Sequence, residues 1–195
     1  MSWQPIHSAA KAGNLPKLKV LLKEQPDAVD LPDGADWSPL MISAQHGKLE
    51  AMRFLLDQKA SIDKASAAGQ TALQIACVVG YAQIAKFLLD NCVELDKRNS
   101  EGETALMQAV AWNRVSCVKL LLDCKADMTG KATAGEYKDK TALDIAQDRK
   151  FDEIVSLLAA AASDRADNKE QEVTFVLQLT VDGKNVADHD NARGC

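Results

Sequence analysis

Histidine and cysteine are the side chains from which metal, redox or nucleophilic chemistry would be built, and the chain holds three of the first and five of the second. His7, His46 and His189 stand far apart, with no HExxH and no partner at metal-ligand spacing. Asp188-His189-Asp190-Asn191 carries cation-binding atoms, but nothing near it supplies the ordered support a metal site needs, so it reads as solvated tail. There is no glycine-rich phosphate loop and no GxSxG turn. The cysteines 77, 92, 117, 124 and 195 form no CxxC. Their odd number fits free thiols in a reducing, cytoplasmic compartment better than a disulfide framework. Cys77 and Cys117 read as core thiols of successive units in different environments, with no disulfide between them. Cys92 and Cys124 read as partly exposed, with Lys125 the one basic neighbour that would activate a thiol. No convergent polar constellation exists, so neither enzymatic activity nor a metal or cofactor is expected.

The chain that must position these residues has 195 residues, 47% of them hydrophobic and 5% aromatic. That length supports one domain with a short appendage and a core that needs no staples. The net charge of −5 lacks the basic excess that a nucleic-acid binder turns toward phosphate. No apolar run approaches the roughly 18 residues of a membrane span, and the N-terminus shows no secretory signal.

Internal repetition decides the architecture. Thr71-Ala72-Leu73 returns as Thr104-Ala105-Leu106, 33 residues on, and Ser38-Pro39-Leu40 precedes it at the same spacing. Thr141-Ala142-Leu143 follows after 37. A second marker keeps the period: Phe54-Leu55-Leu56, Phe87-Leu88-Leu89 and Leu120-Leu121-Leu122. A weaker copy, Ile6-His7-Ser8-Ala9-Ala10 with Val20-Leu21-Leu22, opens the chain, and Val155-Ser156-Leu157-Leu158 closes the last unit. Each unit reads as two short helices. Thr or Ser caps the first, and Gly13, Gly47 or Gly80 stops it where φ turns positive. The second helix is apolar over too broad a face to stand alone, as Ile84, Ala85, Phe87, Leu88 and Leu89 show. It needs a neighbour on either side, which a stacked array supplies.

A period of 33 with T-P-L-H-x-A, then Gly, then Leu-Leu, resembles the ankyrin repeat over about residues 3–160. Ser38-Pro39-Leu40-Met41-Ile42-Ser43-Ala44 before Gly47 fits it, as does Thr71-Ala72-Leu73-Gln74-Ile75-Ala76 before Gly80. There are departures: the motif's Pro is Ala at 72, 105 and 142, its His is Met41, Gln74, Met107 and Asp144, and its Gly is Asn113 and Lys150 in the last two units. The resemblance implies an all-α solenoid of about five repeats, near 3–30, 36–65, 69–98, 102–131 and 139–162, within a domain spanning 1–162. It makes His7 a structural residue of the turn network. The polar end of the fifth unit suits a C-terminal cap.

The remaining residues, 163–195, read as a polar linker and tail. Val173, Phe175, Leu177, Leu179 and Val181 alternate with Thr174, Val176, Gln178 and Thr180, which predicts a β-strand over 173–181. Asp182-Gly183 would turn it toward a short second strand at 185–187. A lone hairpin is marginal in water, so three outcomes stay open: it docks on the array, pairs with a partner, or takes no fixed structure.

In ankyrin repeats the connecting hairpins and the inner face of the first helices form a concave surface that binds other proteins. The resemblance carries that role to the residue before each Thr or Ser, namely Trp3, Trp37, Gln70, Glu103 and Lys140. It carries it also to the pairs before each inter-helix Gly position: Lys11 and Ala12, Gln45 and His46, Val78 and Val79, Ala111 and Trp112, Asp148 and Arg149. All three tryptophans fall in these sets, and tryptophan is a frequent interface anchor. The junction at 127–139 holds four extra residues, with Tyr137 among charged neighbours as a further contact candidate. The expected function is a non-enzymatic, monomeric module that binds another protein as an adaptor or scaffold. The alternative is a stoichiometric inhibitor, of the immunity-protein type, that blocks one target enzyme.

Overall fold

A computed structural model describes residues 5–181 of the chain, with side chains as far as residue 166. Ten α-helices run in five antiparallel pairs: α1 Pro5–Ala12 with α2 Leu15–Glu24, α3 Pro39–Gln45 with α4 Leu49–Asp57, α5 Ala72–Val79 with α6 Ala82–Leu89, α7 Ala105–Ala111 with α8 Val115–Asp123, and α9 Ala142–Asp148 with α10 Asp152–Val181. The first helices stack α1–α3–α5–α7–α9 into an inner layer, and each second helix packs on the back of its own first helix. A 3₁₀ turn, Pro26–Asp30, follows α2.

Capping sets where the first helices begin. Thr71 Oγ1 accepts from the Gln74 N–H at 3.3 Å, and Gln74 Oε1 returns to the Thr71 N–H at 3.0 Å. Asp144 does the same for Thr141, and Thr104 accepts from Met107 N–H. These bonds satisfy donors that a helix start leaves orphaned. Ala72, Leu73, Gln74, Ile75, Ala76 and Cys77 are all buried, because α5 lies between α3 and α7 and rests on α6. Gly80 ends α5 at φ 93°, and a Cβ there would stand 2.9 Å from Cδ of Arg114 in the next unit. Asn113 and Lys150 hold the equivalent turns at φ 54° and 57° without glycine.

The hairpins between units are joined to one another. Ala67 N–H donates to Ala35 O, Ser100 N–H to Ala68 O and Thr133 N–H to Glu101 O. A carboxylate ladder runs parallel: Asp30 accepts from Ser61 N–H, Asp63 from Glu94 N–H and Asp96 from Asp127 N–H, each 31 residues ahead. His7 is buried and donates from Nε2 to Leu31 O at 2.7 Å, a structural role in the first hairpin.

The C-terminal segment departs from the strand expected at 173–181. α10 continues as one 30-residue helix through the linker expected at 163–171 and on to Val181. Ala159, Ala160, Ala161 and Ala162 extend a helix already nucleated by packing, and neither Gly nor Pro occurs between Asp152 and Asp182. A strand at that point would need a ladder partner, and among the described residues there is only an isolated bridge, between Ala132 and Lys138. The second strand expected at 185–187 lies outside the described residues. Arg165 ties the extended helix back to the array, its guanidinium donating to Ala126 O at 2.9 Å just past the end of α8.

Candidate protein-binding face

The short inner helices end together, so the residues just before each turn form a row across the five units. Gln45 and Trp112 are exposed in that row, and His46, Val78, Val79 and Ala111 are half-buried. Trp112 caps the end of α7 with 58% of its surface in solvent. Val78 and Val79 occupy the same level one unit earlier, so aliphatic and indole surface adjoin at the centre of the array. Lys11 is exposed at the end of α1. Burial, then the charges of Lys11 and Lys48, hold the His46 imidazole below its ordinary pKa, which favours its neutral form.

On the hairpin side the expected contacts divide. Trp37 is half-buried and packs against the core, its backbone N–H donating to Asp33 Oδ1 at 3.0 Å. Gln70 is half-buried, with its N–H on Ser66 Oγ. Glu103 was expected at the surface and is instead 7% exposed. Its carboxylate accepts from Asn99 Nδ2 at 2.8 Å and Gln108 Nε2 at 3.1 Å, so it organises the hairpin interior. Lys140 forms a 2.7 Å ion pair with Asp148. Arg149 pairs with Glu136 at 2.9 Å and donates to the Tyr137 hydroxyl, with its guanidinium over the Tyr137 ring. The four-residue insertion is thereby fastened onto the end of α9. Trp3 lies outside the described residues, as do His189 and Cys195.

The sequence passed over Tyr81, which stands in the turn after Gly80 with 40% of its surface exposed and packs over Gly47. It also passed over a cavity of about 440 Å³ between the second and third turns, walled by His46, Leu49, Tyr81 and Ile84. An aromatic residue inside the array where the first, second and fourth turns carry Asn14, Lys48 and Arg114 is the signal that could have found both; the terminal turn has Phe151 there.

The thiols also differ from expectation. Cys77 and Cys117 are not in separate environments: both are buried, and the Cys77 thiol hydrogen-bonds to Cys117 across the third and fourth units. That bond, with burial, pushes Cys77 well up; the same bond, helped by Arg114, brings Cys117 down. Cys92 and Cys124 are exposed. Burial and the Asp123 carboxylate push Cys124 up, so Lys125 does not activate it. Among the described residues no group of three or more His, Cys, Asp or Glu could hold a metal ion, and no helix is long and apolar enough to cross a membrane.

Compared with models of protein families, the chain matches ankyrin repeats in three copies, over residues 2–66, 62–132 and 91–172. The comparison with curated proteins gave no match.

Proposed function

Because the chain belongs to the ankyrin repeat family, whose repeats are general protein–protein interaction modules, we propose that it acts without catalysis, binding a protein partner on the row at the ends of its inner helices. The observation that carries this reading is Trp112, 58% exposed beside the half-buried Val78 and Val79. A soluble surface seldom leaves an indole so open without use, and a rigid indole buries large area at small entropic cost. The backbone beneath it is held by the Trp112 N–H bonds to Gln108 O and Val110 O and by Arg114, which donates to Val78 O at 2.8 Å. The surface is therefore preformed, and binding orders little of it. Gln45, His46, Val78, Val79, Ala111 and Trp112 are its centre, with Lys11 at one end.

The test is capture of partners from cell extract by the full chain and by Trp112→Ala, followed by affinity measurement on what is captured. The proposal expects a partner whose affinity falls by about 1–2 kcal/mol or more in the variant, with an unchanged unfolding transition. One tight partner would favour an inhibitor, and several weaker ones an adaptor. Equal capture by both proteins would overturn the placement of the site.

A further inference from the structure

The turns that join the helices of each pair form one long edge of the array. In the first four units this edge comprises 11–15, 45–49, 78–82 and 111–115, and it contains no Asp or Glu. It contains Lys11, His46, Lys48 and Arg114. The carboxylates of Asp30, Asp63 and Asp96 lie on the opposite, hairpin side, where they bind backbone N–H groups. The nearest acid in sequence, Glu50, stands 3.6 Å from Arg53. The chain's net charge of −5 hides this polarity, because the residues from Asp164 onward hold 4 basic and 7 acidic side chains.

Apolar surface coincides with the basic edge. Of the three large hydrophobic side chains most exposed among the described residues, Tyr81 and Trp112 are both on it. The cavity of about 440 Å³ opens beside Tyr81. It shares Leu49 and Gln83 with a cleft of about 650 Å³ between α4 and α6, where the Arg53 guanidinium lies 4.8 Å from the Phe87 ring centroid. Asp57 and Asp90 line that cleft beside Arg53 and Lys86, whereas the cavity beside Tyr81 has no carboxylate in its lining and lies next to Lys48, and such an apolar recess complements one kind of chain.

We propose that the turn edge receives an acidic peptide segment of the partner, its carboxylates along Lys11 and Lys48 and one apolar side chain seated in the cavity beside Tyr81. The inference rests on the binding reading above and adds the partner's chemistry to it. Attraction between the segment and the edge steers encounter and sets direction, while the seated side chain supplies the desolvated anchor. A charge array of this kind is screened by salt.

A random peptide library selected on the full chain at low salt tests it, with fluorescence anisotropy of the selected peptides on wild type, Lys11→Glu, Lys48→Glu and Trp112→Ala. Lys11 is exposed and Lys48 half-buried, and thermal unfolding of each variant checks that its fold is kept. The expected result is enrichment of Asp- and Glu-rich peptides with a single large apolar residue. Their binding weakens about 5-fold or more on either charge reversal and weakens with added salt. Selected peptides without acidic bias, binding that ignores Lys11→Glu, or equal binding of a single-stranded oligonucleotide would overturn this inference alone, leaving the Trp112 reading standing. No enrichment at all would overturn both.

Discussion

Trp112 and Glu103 show how much one side chain's neighbours decide. Both precede or follow the capped helix α7, and both were legible as candidates from repeat register. Trp112 stands at the C-cap of α7 with most of its surface in solvent. Glu103 is buried because the amides of Asn99 and Gln108 close on its carboxylate. Register does not reveal such closure, since it depends on which polar residues three-dimensional neighbours bring. The same holds for Lys140 and Arg149, whose partners Asp148, Glu136 and Tyr137 come from the insertion and the end of α9. Thiol accessibility is a direct check at this scale. In native protein Cys92 and Cys124 should be alkylated at the slow rate of accessible, unactivated thiols, whereas Cys77 and Cys117 should react only on unfolding. Mass spectrometry of the labelled protein reads this out, and native-state labelling of Cys77 as fast as Cys92 would contradict the packing between the third and fourth units.

At the scale of elements, caps and left-handed turns were the most readable features, because each rests on one or two residues at fixed offset. Thr71 with Gln74 and Thr141 with Asp144 are such cases. Hydrogen bonds from the Thr141 backbone and hydroxyl hold the Asp144 carboxyl below its usual pKa. A group lowered by folding adds stability above its ordinary value, about pH 3.8, and that stability disappears as pH falls through the folded value. Asp144→Asn, which keeps only a neutral acceptor for the cap, should therefore lower stability at pH 7 by that contribution and flatten the loss of stability between about pH 5 and 3. Chemical unfolding across that range measures it; an unaltered slope would deny Asp144 a part. Lys150 holds a left-handed turn at φ 57° with an exposed side chain. Lys150→Gly should relieve that strain and raise stability by about 0.5–1 kcal/mol, a shift of about 1–4 °C in thermal midpoint. A fall instead would show that the lysine contributes contacts worth more than the strain. The strand expected at 173–181 failed for a reason of the same scale: alternation of β-branched residues expresses a preference for a sheet, and α10 arrives there already formed with no sheet to join.

Over the whole molecule, each unit completes its core on its neighbours, so stability is spread along the array rather than concentrated in one element. Beside the last unit, α10 runs past α8, with Arg165 on the carbonyl of Ala126. Truncation after residue 163 should leave a cooperative array weakened by about 1–2 kcal/mol through loss of that charge-assisted bond, and truncation after 166 should cost less. Denaturant titration of the two forms separates them; equal stability would make Arg165 incidental, and loss of folding in both would make the distal helix part of the core. The period of 33 made this architecture legible, since repetition reports the stacking directly. The partner was not legible, because recognition resides in surface shape and charge that no short motif encodes. The account's central claim is that the row of inner-helix ends centred on Trp112 is the binding surface. Titration of a captured partner into wild type and Trp112→Ala, by isothermal calorimetry with thermal unfolding of each protein in parallel, tests that claim most directly. The account predicts affinity about 5- to 30-fold weaker in the variant with unfolding midpoints that coincide; unchanged affinity with a lowered midpoint would contradict it.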